Sequence, residues 1–138
     1  MYPLLDGFRV LDLTRLIHAG FVTQWLADLG ADVIKVEAPG VGDYLRGLPP
    51  FVNGVSAGYL ALNRNKRSIS LNLKSERGME IFHELLGTAD ALVQVSKPGS
   101  FARMGLDYDS LATIKPDLVY TEISAFGQTG PWSTMPAH

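Results

Sequence analysis

No cysteine occurs anywhere in the 138 residues. Disulfides, thiolate zinc sites and a cysteine nucleophile are therefore excluded, and the composition suits a reducing compartment. An excess of one charge is also missing: 12 Lys and Arg stand against 14 Asp and Glu, a net charge of −2. No global basic field exists for nucleic acid or an anionic membrane, so any anion must be held by a local cluster. Apolar runs stay far short of the roughly 20 residues that cross a bilayer. The start, Met1-Tyr2-Pro3-Leu4-Leu5-Asp6-Gly7, lacks the basic and long apolar regions of a signal peptide. The expectation is a cytoplasmic protein with no nucleic-acid or membrane partner. Internal repeats, a G-x-S-x-G elbow and a metal-type spacing of His or carboxylates are absent too.

What is present is an ordinary globular balance, 46% apolar and 19% charged, in one domain's length of chain. Phe8 to Leu13 is a short β-rich run. From His18 to Leu29, the residues Val22, Trp25, Leu26 and Leu29 fall on one helical face, which predicts a core-facing stripe. Gly30 stands where a helix-terminating glycine belongs, and Asp32 to Glu37 is a second strand. Ala38 to Ser56 carries four glycines and three prolines and reads as one long loop. Gly58 to Leu62 suggests a short helix before the basic Asn63-Arg64-Asn65-Lys66-Arg67. Ser68 to Leu73 is a third strand, and Ser75 caps a helix from Glu76 to Leu86, closed by Gly87. Ala91 to Val95 is the fourth strand, followed by a helical piece over Ser100 to Met104. Asp107 or Asp109 caps a helix through Leu111 and Ile114 that Pro116 stops. Leu118 to Ser124 is the fifth strand.

Strands alternating with helices imply an α/β fold: a Rossmann-like, mainly parallel sheet with helices on both faces. Ligands of such sheets bind outside the carboxyl ends of the strands. Lys97 and Arg103 lie just past strand four, and a Pro98-Gly99 turn with a helix start near Ser100 would bring backbone N–H groups beside both cations. That is a phosphate cradle, to be weighed against solvated loop charges. Lys74 reaches the same edge as a single cation. The Arg64 to Arg67 cluster precedes strand three and belongs at the amino edge, where a structural or interfacial role is expected. Glu37 has the position of a ribose-binding acid, but Thr14-Arg15-Leu16-Ile17-His18-Ala19-Gly20 lacks G-x-G-x-x-G, which favours a strand-end carboxylate. Asp12 is open to either reading. His83, inside an amphipathic helix, reads as surface or half-buried.

Several long segments together carry a resemblance that runs end to end. They are Leu5-Asp6-Gly7-Phe8-Arg9-Val10-Leu11-Asp12-Leu13-Thr14 and Leu26-Ala27-Asp28-Leu29-Gly30-Ala31-Asp32-Val33-Ile34-Lys35-Val36-Glu37. Then follow Leu62-Asn63-Arg64-Asn65-Lys66-Arg67-Ser68, Lys97-Pro98-Gly99, Arg103-Met104-Gly105-Leu106 and Ser124-Ala125-Phe126-Gly127-Gln128-Thr129-Gly130-Pro131. The chain resembles the family III CoA-transferases (CaiB/BaiF), which include the α-methylacyl-CoA racemases. The resemblance implies that residues 1–138 are a CoA-binding Rossmann-like domain, truncated at its carboxyl end. It further implies coenzyme A or an acyl-CoA as substrate rather than a permanently bound cofactor, a carboxylic acid acceptor, and an interlocked homodimer in the complete protein. By position, the family's CoA contacts fall on Ile17 and His18, on Leu71, Asn72, Leu73 and Lys74, on Val95, Ser96 and Lys97, and on Arg103.

Two departures stand out. His18-Ala19-Gly20 replaces the Ala-Gly-Pro of many members, and Ala38 stands where some transferases carry a nucleotide-binding arginine. In the transferases an aspartate attacks the thioester; that aspartate lies some tens of residues beyond His138. In the racemases a histidine and the same aspartate exchange the α-proton, and His138 falls on that histidine. The long Ala38 to Leu62 stretch instead resembles the transferases. Three readings follow: a CoA-transferase part inactive by itself, a racemase part using His138, or a non-catalytic nucleotide-binding fragment.

Overall fold

The computed structural model describes residues 3–135. Five parallel strands form one sheet: β1 (Arg9–Leu13), β2 (Asp32–Glu37), β5 (Arg67–Ser70), β6 (Ala91–Val95) and β7 (Val119–Ile123), in the order β5-β2-β1-β6-β7. Every neighbouring pair is parallel, with Asp12 opposite Lys35 and Val93 opposite Thr121 in the register. A mainly parallel α/β sheet is thus the fold. Alternating side chains feed two separate cores, as a period of two requires. On one face Leu11, Leu13, Ile34, Val36 and Leu92 pack with Phe82 and Leu86 of α3 (Glu76–Gly87) and Leu111 of α4 (Tyr108–Ala112). On the other, Val10, Val33, Ala91 and Val93 pack with Ala27 and Leu26 of α1 (Leu16–Asp28). Phe82 and Leu86 are fully buried, each contributing roughly 2 kcal/mol of transfer free energy. No helix among the described residues is long and apolar enough to cross a membrane.

The helix ends follow local chemistry. Ser75 Oγ accepts from the Gly78 N–H (3.1 Å), and Asp107 Oδ1 accepts from the Ser110 N–H (2.9 Å), which settles the choice between Asp107 and Asp109. Past α1, Gly30 takes φ +102, and Ala31 N–H donates back to Leu26 O (3.0 Å). That closure needs a left-handed residue, so glycine belongs there.

Four expectations need correction. The α1 stripe is not core-facing: Val22, Trp25 and Leu29 are exposed, and Ala19, Gly20, Thr23, Gln24 and Ala27 are buried instead. The reason is that Asp12 of β1 and Lys66, from the segment ahead of β5, lie beneath this helix and bond to its Thr23 hydroxyl and Gly20 carbonyl. Ala38 to Ser56 is not one loop. It holds a 3₁₀ turn, Tyr44–Gly47, and a hairpin of β3 (Phe51–Val52) with β4 (Val55–Ser56). Asn53 and Gly54 make its tip with φ of +50 and +79, as an Asn-Gly two-residue turn demands. Strand three ends at Ser70, because the chain turns through Asn72 to Ser75, where Ser75 N–H bonds to Asn72 O (3.0 Å). The fourth helix stops at Ala112, two residues short of Ile114; Ile114 and Lys115 N–H close its last turn on Leu111 O. The helix α2 (Ala57–Asn63), capped by Ser56, spans slightly more than expected.

Glu37 ties the segment after β2 to its neighbours. Its carboxylate accepts from Asp43 N–H (2.8 Å), Arg46 Nε and Nη2 (2.7 Å each), Ser68 Oγ (2.7 Å) and Tyr59 Oη (3.0 Å). Burial works against the ionised form, but the bonds from Arg46, Ser68, Asp43 and Tyr59 outweigh it and hold the pKa at about 2, down from 4.5. It is therefore the strand-end carboxylate expected of a chain lacking the glycine fingerprint.

Two outcomes follow. A Cβ on Gly78 would lie 2.1 Å from Asn72 O, so Gly78→Ala should destabilise by about 1–3 kcal/mol despite alanine's better helix propensity. Urea denaturation reads this, and an unchanged midpoint would show that the close approach of α3 to the 72–75 turn is not required. The depressed Glu37 pKa adds stability that is complete above pH 4.5 and lost as pH falls towards about 2, on the order of 3 kcal/mol. Denaturation across that window should show a steeper loss in the wild type than in Glu37→Gln; equal slopes would remove Glu37 as the source.

Candidate functional site

The connection order reverses between β1 and β6: the chain builds outward from β1 through β2 to β5, then returns to β6 and β7. Crevices form at the carboxyl ends of strands at such a point. Two open there. The first, about 480 Å³, is walled by Leu13, Thr14, Arg15, Val36, Ala38, Asp43, Leu71 to Lys74, Phe101 and Met104. The second, about 780 Å³, lies on the β6–β7 side between Arg15, Leu16, His18, Tyr44, Val95 to Pro98, Ser124 to Phe126, and Met135. Both volumes suit a small-molecule ligand.

The sequence-derived candidates distribute over these two crevices. Leu71, Asn72, Leu73 and Lys74 line the first; His18, Val95, Ser96 and Lys97 line the second. Ile17 is 60% exposed and lines neither. Arg103 also lines neither wall, but it stays on the same edge: its guanidinium passes 3.9 Å from where a Gly99 Cβ would be. Lys97 and Arg103 thus flank one short turn after β6, with Lys97 on the second crevice and Arg103 on neither wall. The turn itself differs from the expected amide cradle. Ser100 N–H bonds to Lys97 O (3.0 Å) and Arg103 N–H to Gly99 O (3.4 Å), so those two amides serve the turn and the side-chain cations remain. His138 lies outside the described residues.

Beneath the crevices sits a buried ionic cluster that sequence reasoning left unassigned. Lys35 and Asp12 are 1% and 0% exposed. Lys35 Nζ donates to Thr14 O (2.8 Å) and pairs with Asp43 Oδ2 (2.8 Å). Asp12 accepts from Thr14 N–H (2.8 Å), Thr14 Oγ1 (2.5 Å), Thr23 Oγ1 (2.7 Å) and Lys66 Nζ (2.9 Å). Lys66 also reaches Gly20 O, Thr23 Oγ1 and Asn63 Oδ1. Burial pushes its pKa down, opposed by Asp12. The basic segment ahead of β5 is thus structural, as expected: Arg64 meets Asp28 (2.6 Å) and Arg67 meets Asp32 (2.7 Å).

Pairing elsewhere leaves a pattern. Arg9, Arg46, Arg64, Arg67, Arg77, Lys35, Lys66 and Lys115 each meet a carboxylate. Among the described residues, the side chains of Arg15, Lys74, Lys97 and Arg103 meet none, and all four follow the carboxyl ends of strands. The acids on the first wall, Glu37 and Asp43, are matched by Arg46 and Lys35, and no acid lines the second. A chain of net charge −2 therefore presents a locally cationic edge. Arg15 was missed from the sequence; its place directly after the first strand, at the reversal, was the available signal.

Comparison with known proteins agrees with this geometry. Residues 5–138 match the family described as CoA-transferase family III. The chain is 48% identical over 130 residues to the succinyl-CoA:glutarate CoA-transferase of Mus musculus, covering 94% of this chain and 30% of that protein. It is 45% identical over 133 residues to the acetyl-CoA:oxalate CoA-transferase of Acetobacter aceti, covering 96% and 34% respectively. A crystal structure of a CAIB/BAIF family protein from Brucella suis superposes with a TM-score of 0.89 at 43% identity, over 95% of this chain and 36% of that one. The chain spans about a third of the length of the curated relatives it matches. With a matching fold, a family match over nearly all its residues and close relatives of one kind, the chain belongs to CoA-transferase family III.

Proposed function

We propose that residues 1–138 are a CoA-binding domain, continued outside this chain, of an enzyme that moves coenzyme A between carboxylic acids. The observation that carries this reading is the set of unpaired cations flanking two crevices at the carboxyl edge of the sheet. A nucleotide bearing a pyrophosphate and a further phosphate needs such charges, and charge-assisted hydrogen bonds are the strong ones. In this reading Lys97 and Arg103 hold CoA phosphates, Leu71 to Lys74 border the adenosine, and Val95, Ser96, Ile17 and His18 border the rest of the coenzyme. The thioester end runs along the second crevice.

The chemistry is nucleophilic catalysis by a carboxylate. An aspartate outside this chain attacks the thioester carbonyl; the C–S bond breaks, giving a mixed anhydride and CoA thiolate. The thiolate then attacks the aspartyl carbonyl, releasing the donor acid and leaving CoA on the enzyme as a thioester. The acceptor carboxylate reverses the sequence. Because the relatives act on glutarate and oxalate, a short dicarboxylic acid is the acceptor we favour. The exposed apolar face of α1, with Phe21, Val22 and Trp25, and the exposed strand β7 supply surfaces for the rest of the polypeptide and for a second copy in an interlocked homodimer.

Replacing Lys97 and Arg103 together by alanine should weaken CoA binding by roughly 2 kcal/mol or more, about thirtyfold in Kd. Calorimetry checks this; an unchanged constant removes both from the site, and binding of NAD without CoA would overturn the coenzyme assignment. With the full-length protein, an acyl-CoA and a dicarboxylate, CoA should appear on the dicarboxylate. Deuterium entering the α-position without any acceptor would instead establish the racemase reading.

A further inference from the structure

Arg15 stands apart from the other free cations in two respects. It borders both crevices, where Lys74 and Lys97 each border one. Its backbone is also gripped from either side while its head group has no partner among the described residues. On the preceding side, Lys35 Nζ holds Thr14 O (2.8 Å), and Asp12 Oδ1 accepts from the Thr14 N–H (2.8 Å). On the following side, Leu16 N–H points to Asp43 Oδ1 (3.4 Å). Leu16 itself sits at φ +66, a left-handed conformation that costs a branched residue energy and persists only where the surroundings dictate it. The buried ion pair of Lys35 with Asp43 is therefore what fixes the turn, and the turn aims Arg15. A fixed backbone carrying a free guanidinium is the arrangement that loses least entropy on gripping an oxyanion.

We propose that Arg15 is a fourth anion-binding residue of this site, holding an oxyanion of the reactants where the two crevices meet. That oxyanion is a phosphate of the nucleotide or the carboxylate of the acceptor, both of which a guanidinium takes through paired N–H donors. The inference deepens the CoA-transfer reading and rests on it.

The test uses the full-length protein with Arg15→Gln and Arg15→Lys. Melting temperature should not change, since Arg15 is exposed and no side-chain bond caps α1 through it. In Arg15→Gln either the calorimetric Kd for CoA or the KM for the dicarboxylate should rise about tenfold or more, with Arg15→Lys recovering only part of the loss. A change confined to CoA identifies the phosphate as the ligand; a change confined to the acceptor KM identifies the carboxylate. Both constants unchanged, or a lowered melting temperature with both constants unchanged, would overturn the proposal. Wild-type protein that binds no CoA would sink the broader reading, whereas wild-type binding matched by Arg15→Gln with an unmoved acceptor KM would sink only the role of Arg15.

Discussion

The pairing of Lys35 with Asp43 and of Lys66 with Asp12, all below the reach of water, is the constraint on which the carboxyl edge depends. A buried charge without a partner costs several kcal/mol, so each member obliges the others to stay. The consequence is geometric. Asp12 ends the interior of β1, Lys35 lies opposite it in β2, Asp43 comes from the segment beyond β2, and Lys66 arrives from the end of α2. Four separate pieces of chain are locked at one place, and two of them form the shared wall between the crevices. Substituting apolar residues could stabilise such a cluster as well or better; it would not hold Thr14 by its carbonyl or Leu16 by its amide.

The same cluster explains what the sequence made legible and what it hid. Strands were readable because Val10-Leu11 and Val33-Ile34 pack on both faces, and the parallel order followed from their alternation with helices. The choice of carboxyl edge followed as well, whereas the segments Leu71 to Lys74 and Val95 to Lys97 came from the family resemblance; they line the two crevices at that edge. The face of α1 was misread because the periodic stripe of Val22, Trp25 and Leu29 is the more hydrophobic one. Hydrophobicity normally decides which face is buried, but here Asp12 and Lys66 demand Thr23 and the Gly20 carbonyl. The hairpin over Phe51 to Ser56 was concealed by its glycine- and proline-rich surroundings, although Asn53-Gly54 between short apolar pairs is a turn signal with a mechanism. Lys35 was left unassigned because a single lysine within an apolar strand carries no pattern signal; its tertiary contacts with Thr14 and Asp43 reveal it as buried and paired.

A dinucleotide fold of the usual kind binds pyrophosphate with backbone amides of a glycine-rich turn at the start of its first helix. This chain has the strand order suited to such a site and none of the glycines. Leu16 occupies a left-handed position that glycine would take freely, and Arg15 caps α1 without any side-chain bond. With a bulky turn in place of a close-fitting one, the backbone cannot approach a phosphate as a glycine loop does. Long cationic side chains reach further and need no such approach. In the proposed reading, the distribution of Arg15, Lys74, Lys97 and Arg103 around the edge is the physical alternative to a phosphate loop, on a sheet that lacks the glycine fingerprint.

Side-chain cations differ from a glycine loop in a way that matters for the proposed transfer of coenzyme A. A loop holds one phosphate group in one place, whereas charges spread over two crevices act on a ligand along its length. Their attraction extends about one Debye length, roughly 8–10 Å at ordinary ionic strength, so a polyanionic coenzyme and a carboxylate acceptor of the proposed reaction would both feel the same edge. A net charge of −2 does not cancel that contrast, because the acids on the first wall, Glu37 and Asp43, are held in ion pairs with Arg46 and Lys35, and no acid among the described residues lines the second crevice. Under the proposed CoA-transfer function, donor and acceptor would enter one site in turn, and a single cationic edge favours both without a separate entrance for each.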